Sequence, residues 1–224
     1  MPADPTPDPN PTPDPTPDPT PDPTPTPTPT PAPGSVAGSD PDTVPAPATT
    51  SIVLGPLRAN DLDGAHGVLA VERAVFSHPW SRRIFTEELA QRRSRIYRAA
   101  WDGRRVVAYA GLMLIDDEAH VNNIAVHPMW QRRSIATVLL LDAVRQARAR
   151  GTRHLTLEVR VGNDGAVELY RRFGFAPVGI RPNYYPETGD DALIMWARDI
   201  DSDDYSSRIA TIGAALPPSL SVTW

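Results

Sequence analysis

An α/β (α+β) fold, a mixed sheet with helices packed on its faces, is predicted for residues 51–199 by three observations. Short runs of β-branched and aromatic residues alternate with amphipathic stretches in the order β-α-α-β-β-β-α-β-α-β-β. Turn dipeptides and helix caps fall at the joints between these runs. A change of composition near residue 50 sets apart everything that precedes it.

Residues 1–50 hold 19 of the 27 prolines and seven aspartates, with neither Lys nor Arg. Their Thr-Pro-Asp-Pro and Thr-Pro alternation fixes φ at every second residue and removes every second amide donor, which forbids helix and sheet ladder alike. With almost nothing apolar to bury, this segment is expected to be a disordered proline-rich tail. The remaining length suits one catalytic-size domain over residues 51–199, and residues 200–224, acidic and then apolar, are expected as a C-terminal tail, either docking or disordered.

The elements follow in order. Ile52-Val53-Leu54 opens the first strand, and Asn60 is a candidate N-cap for a helix over residues 60–75. After the break Ser77-His78-Pro79-Trp80-Ser81, Ser81 begins a short second helix through Glu87-Glu88-Leu89. Residues 96–101 and 105–115 read as strands joined by the hairpin dipeptide Asp102-Gly103. A turn at Asp116-Asp117-Glu118 leads to a strand over residues 119–126, stopped by His127-Pro128. Next come a polar loop, Met129-Trp130-Gln131-Arg132-Arg133, and a long helix with Ile135, Val138, Leu139, Leu141 and Val144 at helical spacing, ended by Gly151. Residues 154–159 form a strand, Asn163 caps a helix to Arg172, and Gly174 closes it. Strands over residues 175–184 and 192–196 complete the domain.

Several function classes are excluded. The chain has no Cys, so disulfides, Cys-based zinc sites and thiol nucleophiles are absent, and no metal is implied. The net charge of −5 leaves the part after the acidic tail slightly positive, at about +2, which gives no footprint for direct nucleic-acid binding. All 22 basic residues are Arg, and the pairs Arg92-Arg93 and Arg171-Arg172 read as solvated helix faces. There is no signal-like apolar run at the start and no apolar run of about eighteen residues anywhere, so a cytoplasmic protein without membrane contact is expected.

The chemistry-bearing residues cluster in the second half. The strand, loop and helix over residues 124–139 suit an anion, because N–H groups at a helix N-terminus point outward and Arg132 and Arg133 add positive charge. Glu158 on the following strand and Tyr170 on the next helix supply a proton acceptor and a proton donor, although spacing alone favours a structural ion pair of Glu158 with Arg160 or Arg172 and a core role for Tyr170.

The segments Asn123-Ile124-Ala125-Val126-His127-Pro128, Gln131-Arg132-Arg133-Ser134-Ile135-Ala136, Leu157-Glu158-Val159-Arg160, Asn163 and Leu169-Tyr170-Arg171-Arg172-Phe173-Gly174-Phe175 resemble the GNAT acetyltransferase superfamily in order and spacing. Within it, His78-Pro79-Trp80-Ser81 and Arg181-Pro182-Asn183-Tyr184-Tyr185-Pro186 are similar to the RimI-like group, which acetylates the N-terminal alanine of small-subunit ribosomal protein eighteen. The resemblance implies a mostly antiparallel sheet of about seven strands with a splayed strand pair and helices on both faces, acetyl-CoA as co-substrate, and a ribosomal protein N-terminus as partner. It implies that Ile124, Ala125 and Val126 bind the pantetheine arm and acetyl group, and that Gln131, Arg132, Arg133, Ser134, Ile135 and Ala136 cradle the pyrophosphate. Asn163 would help hold the coenzyme, Glu158 would be the general base and Tyr170 the general acid. Trp80, Tyr184 and Tyr185 would line the peptide side. The family usually has Gly at the position of Ser134 and Gly or Ala at that of Ala136, so weaker coenzyme affinity is expected here. The oligomeric state is not set by the sequence.

Overall fold

The strand Arg105–Ile115 is buried along both faces, and the other elements are arranged around it. The computed structural model describes residues 49–186 and 188–224; the expected proline-rich tail lies outside the described residues. In chain order the strands are β1 (Thr50–Pro56), β2 (Arg95–Asp102), β3 (Arg105–Ile115), β4 (Glu118–Val126), β5 (His154–Arg160), β6 (Ala176–Tyr185), β7 (Asp190–Ala197) and β8 (Leu220–Thr223). The helices are α1 (Val68–Val75), α2 (Arg82–Ala90), α3 (Ile135–Arg148), α4 (Asp164–Arg172) and α5 (Asp203–Ala214). All eight strands form one sheet in the order β6-β7-β5-β4-β3-β2-β1-β8, one strand more than expected.

Neighbouring strands are antiparallel except at β4–β5 and β1–β8. The parallel β4–β5 ladder is confined to Glu118, Ala119 and His120 against His154, Leu155 and Thr156. Beyond it β5 stays paired with β7 and β4 with β3, so the two strands part and leave a splay that opens toward the N-terminus of α3. This is the splayed pair that the resemblance implied. A bulge sharpens it: Gly111 pairs with Asn123 and Leu112 with Val121, which leaves Asn122 as the extra residue in β4.

Two apolar clusters cover the two faces of the sheet. On one, α3 contributes Ile135, Val138, Leu139 and Leu141 against β2, β3 and β4, joined by Val167 of α4 and by Phe173, the residue that follows that helix. On the other, Val68 and Val71 of α1 and Phe85 of α2 pack on Tyr97 and Tyr109. A continuous apolar stripe at helical spacing explains why α3 is the most deeply buried helix.

One expectation is corrected, and of the two alternatives for residues 200–224 the docked one is found. Asn60 caps nothing: residues Ala59–Asp61 make a single 3-10 turn, and the first helix begins eight residues later behind Gly67. Gly64, at φ +85°, takes a left-handed turn that a continuous helix forbids. Residues 200–224 dock on the rest of the domain. Ser202 accepts the Tyr205 N–H at 3.2 Å and caps α5, whose Tyr205, Ile209 and Ile212 are buried in the α3-side cluster, and β8 pairs with β1. Their spacing is that of an amphipathic helix, and the aspartates before them complement the positive helix N-terminus. Among the described residues no helix is long and apolar enough to cross a membrane.

Candidate active site

Residues along β5 alternate. Leu155, Leu157 and Val159 are buried on the α3 side, so Glu158 faces the opposite side, two residues past the end of the β4–β5 ladder. Its side chain is 5% exposed and has two partners. Oε2 lies 2.5 Å from His120 Nε2, and Oε1 lies 3.3 Å from Arg181 Nη2. The expected alternatives, Arg160 and Arg172, are not its partners: Arg160 pairs with Asp190, donates to Thr188 Oγ1 at 2.6 Å and lies over the Tyr185 ring. His120 Nδ1 is 3.0 Å from Asn122 Oδ1, so the ring is held between Glu158 and Asn122. Burial pushes the Glu158 carboxyl up, but the hydrogen bond and charge of His120, with Arg181 beside it, outweigh burial and hold it below its ordinary value.

The hairpin of β6 and β7 supplies the wall beside this carboxylate. Tyr184 and Tyr185 meet edge to face with ring centroids 5.2 Å apart, and Arg181 lies over the Tyr184 ring. Burial and the Glu158 charge, against the opposing pull of Arg160, push the Tyr185 phenol up to about 12, and burial with the same carboxylate raises Tyr184 further. Both phenols therefore stay protonated and can donate to an acceptor near Glu158. Tyr170 is on the other face of the sheet. Its ring is 4% exposed, packs 5.7 Å from Phe175 and belongs to the cluster that holds Leu157 and Val159. Glu158 and Tyr170 thus lie on opposite faces of the sheet.

The loop before α3 has the backbone of an anion site. Arg132 and Ser134 adopt φ of +62° and +61°, an alternation that turns successive N–H groups to one side. Gln131 Nε2 donates to the Val126 carbonyl at 3.2 Å and ties the loop to the end of β4, while Arg133 lies over the Trp130 ring. Ser134 makes no side-chain capping bond, and the first helical bond runs from Val138 N to its carbonyl. Ile135 is buried under the loop and Ala136 half-buried, whereas Gln131, Arg132 and Arg133 are exposed. On β4, Ile124 and Ala125 are buried and Val126 half-buried.

The Oδ1 of Asn163 caps α4 through Ala166 N at 3.3 Å, as its position at the start of the helix implied. The structure does not bring Trp80 to Glu158: its ring is 9% exposed and stacks edge-on against Phe85 in the α1–α2 cluster. His120 is the residue that sequence reasoning missed. A lone His in an alternating strand carries no signal until the register sets it across from Thr156, one pleat from Glu158.

Comparison with known proteins places this geometry in a lineage. The model of the Acetyltransferase (GNAT) family matches residues 65–175. The putative ribosomal protein bS18-alanine N-acetyltransferase of Bacillus subtilis (strain 168) is 36% identical over 140 residues, covering 62% of this chain and 91% of that protein. The ribosomal protein bS18-alanine N-acetyltransferase of Escherichia coli (strain K12) is 35% identical over 141 residues, covering 62% and 92%. The crystal structure of the ribosomal-protein-S18-alanine N-acetyltransferase from Escherichia coli superposes with a TM-score of 0.60 at 31% identity, over 66% of this chain and 94% of that one. Family match, relatives and splayed sheet agree, and the chain belongs to the acetyltransferase (GNAT) family.

Proposed function

We propose that the chain transfers the acetyl group of acetyl-CoA to the N-terminal α-amine of a protein, with the N-terminal alanine of small-subunit ribosomal protein eighteen as its substrate. The observation that carries this reading is an ionised, buried carboxylate beside a two-tyrosine wall at the splay, in a chain whose curated relatives are named for that reaction.

Acetyl-CoA would lie in the splay. Backbone groups of Ile124, Ala125 and Val126 would hold the pantetheine arm and acetyl carbonyl, and the N–H groups of residues 131–136 would hold the pyrophosphate at the start of α3. Asn163 would contribute by fixing the start of α4 on the coenzyme side. The amine would enter from the face of Glu158, between Tyr184 and Tyr185, and attack the thioester directly. Glu158 would take the amine proton through water, and Tyr170, from the opposite face, would protonate the departing thiolate.

The depressed Glu158 favours an α-amine over a lysine. A terminal ammonium has a pKa of about 7.7–8.0 and is partly neutral at physiological pH, whereas a lysine ammonium at about 10.4 needs a stronger base than this carboxylate. We place the reaction in the cytoplasm, where such a substrate is made. The unit carrying it is residues 51–199 with residues 200–224 folded onto it, and residues 1–48 are dispensable for it.

The test is thiol release from acetyl-CoA with three acceptors: a hexapeptide with a free N-terminal alanine, the same peptide acetylated at its N-terminus, and an N-acetylated peptide bearing one lysine. Release with the first alone is expected. Equal release with the lysine peptide would remove the α-amine assignment and leave a general amine acetyltransferase.

A further inference from the structure

Glu72, on α1, is completely buried and takes no part in the site described above. Its Oε1 accepts the Trp80 backbone N–H at 2.8 Å and so holds the connector between α1 and α2. Its Oε2 accepts the hydroxyl of Tyr109, a fully buried residue of β3. The Tyr109 oxygen accepts the Asn123 Nδ2–H at 3.2 Å. Asn123 stands on β4 directly after the bulge residue Asn122 and directly before residues 124–126. Its Oδ1 is buried and has no hydrogen-bond partner. The backbone of Gly111 packs against this amide so closely that a Cβ there would lie 2.6 Å from Asn123 Oδ1 and 2.3 Å from Tyr97 Cε1.

We propose that Glu72 is a positioning residue for acetyl transfer: through Tyr109 and Asn123 it ties the α1–α2 connector to the bulge from which β4 presents residues 124–126, and the Asn123 amide responds to its protonation. The proposal rests on residues 124–126 being the strand that binds the acetyl donor.

The hydrogen-bond inventory admits two arrangements. As a carboxylate, Glu72 accepts from both Trp80 and Tyr109, Tyr109 accepts from the Asn123 amide nitrogen, and Asn123 Oδ1 is left over. As a carboxylic acid, Glu72 donates to the Tyr109 oxygen, and the Tyr109 hydroxyl must find a new acceptor. The acceptor at hand is Asn123 Oδ1, reached when the amide turns over. The Trp80 bond survives in both arrangements, so the change falls on β4. Each arrangement leaves one end of the buried Asn123 amide without a partner, Oδ1 in the first and Nδ2 in the second, and makes the same number of hydrogen bonds, which brings the two close in energy.

The groups facing Glu72 are few. Tyr109 reaches it from β3, and behind Tyr109 stands Tyr97 of β2, whose hydroxyl donates to Glu88 of α2, itself paired with Arg95. Among the described residues no cation pairs with Glu72. Burial therefore prevails over the two hydrogen bonds and pushes its carboxyl up to about 7.

The experiment follows the Trp80 backbone amide and the Asn123 side-chain amide of the full chain by NMR between pH 5 and 9, in the native protein and in Glu72→Gln and Tyr109→Phe, with peptide acetylation kinetics beside them. In the native protein both resonances should titrate together near neutral pH. Glu72→Gln should flatten both, and Tyr109→Phe should silence Asn123 while Trp80 still titrates. Glu72→Gln should also lower kcat/KM for the peptide by about tenfold, the worth of one buried hydrogen bond, with a ratio to the native enzyme that changes across neutral pH. An Asn123 amide that does not titrate in the native protein would overturn the proposal. So would a Glu72→Gln enzyme that loses thermal stability but keeps the native pH profile. If the native protein acetylates no peptide at all, the proposed function fails, and the NMR titration still decides whether the network carries the proton signal to β4.

Discussion

Glu158 and Glu72 are both buried carboxylates, and their protons are held in opposite ways. Glu158 is 5% exposed and meets His120 and Arg181, while Glu72 is completely buried and meets only a phenol and a backbone amide. The first lies below its ordinary pKa and the second is raised to about 7. Similar burial thus gives opposite outcomes. The sign is set by whether the partners carry charge, because neutral donors do not fully offset the desolvation of an ionised group. The carboxylate at the splay is kept ready as an acceptor, and the one beneath the connector sits at the edge of ionisation.

The sharpest break of this contrast is Glu158→Gln, which keeps the shape and removes the charge. A fall in kcat/KM for the peptide of about a hundredfold or more is expected, with the KM for acetyl-CoA nearly unchanged. A fall of only a few-fold would reassign Glu158 to a structural pair with His120.

On the other side of the comparison, stability should depend on Glu72. Its folded-state pKa is raised, so its contribution is fully present below the ordinary value near 4.5 and is lost as pH rises through about 7. Glu72→Gln should therefore flatten the decline in melting temperature between pH 5 and pH 8, by an amount corresponding to roughly 3 kcal/mol at most. Glu158 runs the other way: its stabilisation is present above its unfolded pKa and is lost as pH falls through its lower folded value.

Exchanging partners should move Glu158 toward the behaviour of Glu72. His120→Gln removes the larger of its two stabilising neighbours, and the acidic limb of the kcat/KM profile should shift to higher pH with a smaller change on the plateau. An unmoved limb would mean that Arg181 alone holds the carboxylate ionised.

The smallest expected effect is at the phosphate loop. Ser134 sits at φ +61°, ψ 13°, a left-handed conformation that disfavours a non-glycine residue by about 1 kcal/mol. Ser134→Gly should lower the KM for acetyl-CoA a few-fold and raise the melting temperature by roughly 2–4 °C, less whatever the freer unfolded glycine takes back. An unchanged KM would show that the serine hydroxyl serves the phosphate as well as close backbone approach does.

Much of this was legible in the sequence where the signal is local. Ser81 and Asn163 cap helices as read, because a cap is decided within four residues. The succession of strand, polar turn and apolar-striped helix around residues 131–134 was legible because the three adjoin directly in the chain. The reading failed where distant residues compete. A helix from Asn60 loses to the glycines at 64 and 67, whereas for residues 200–224, left open between docking and disorder, the choice fell to a helix whose apolar face packs in the α3-side cluster.

By itself the sequence determined the kinds of element, their order and the absence of thiol chemistry, because these depend on composition and short spacings, while Glu158 and Tyr170 became acid–base candidates only through the family resemblance of their motifs. Tertiary structure alone decided which partners each group meets. The β4–β5 register brings His120 to Glu158, the β6–β7 hairpin brings in Arg181, Tyr184 and Tyr185, the sheet separates Tyr170 onto the opposite face, and the packing of α1 on β3 buries Glu72 against Tyr109. Contacts between residues tens of positions apart depend on which faces the whole chain buries, and no local pattern encodes them.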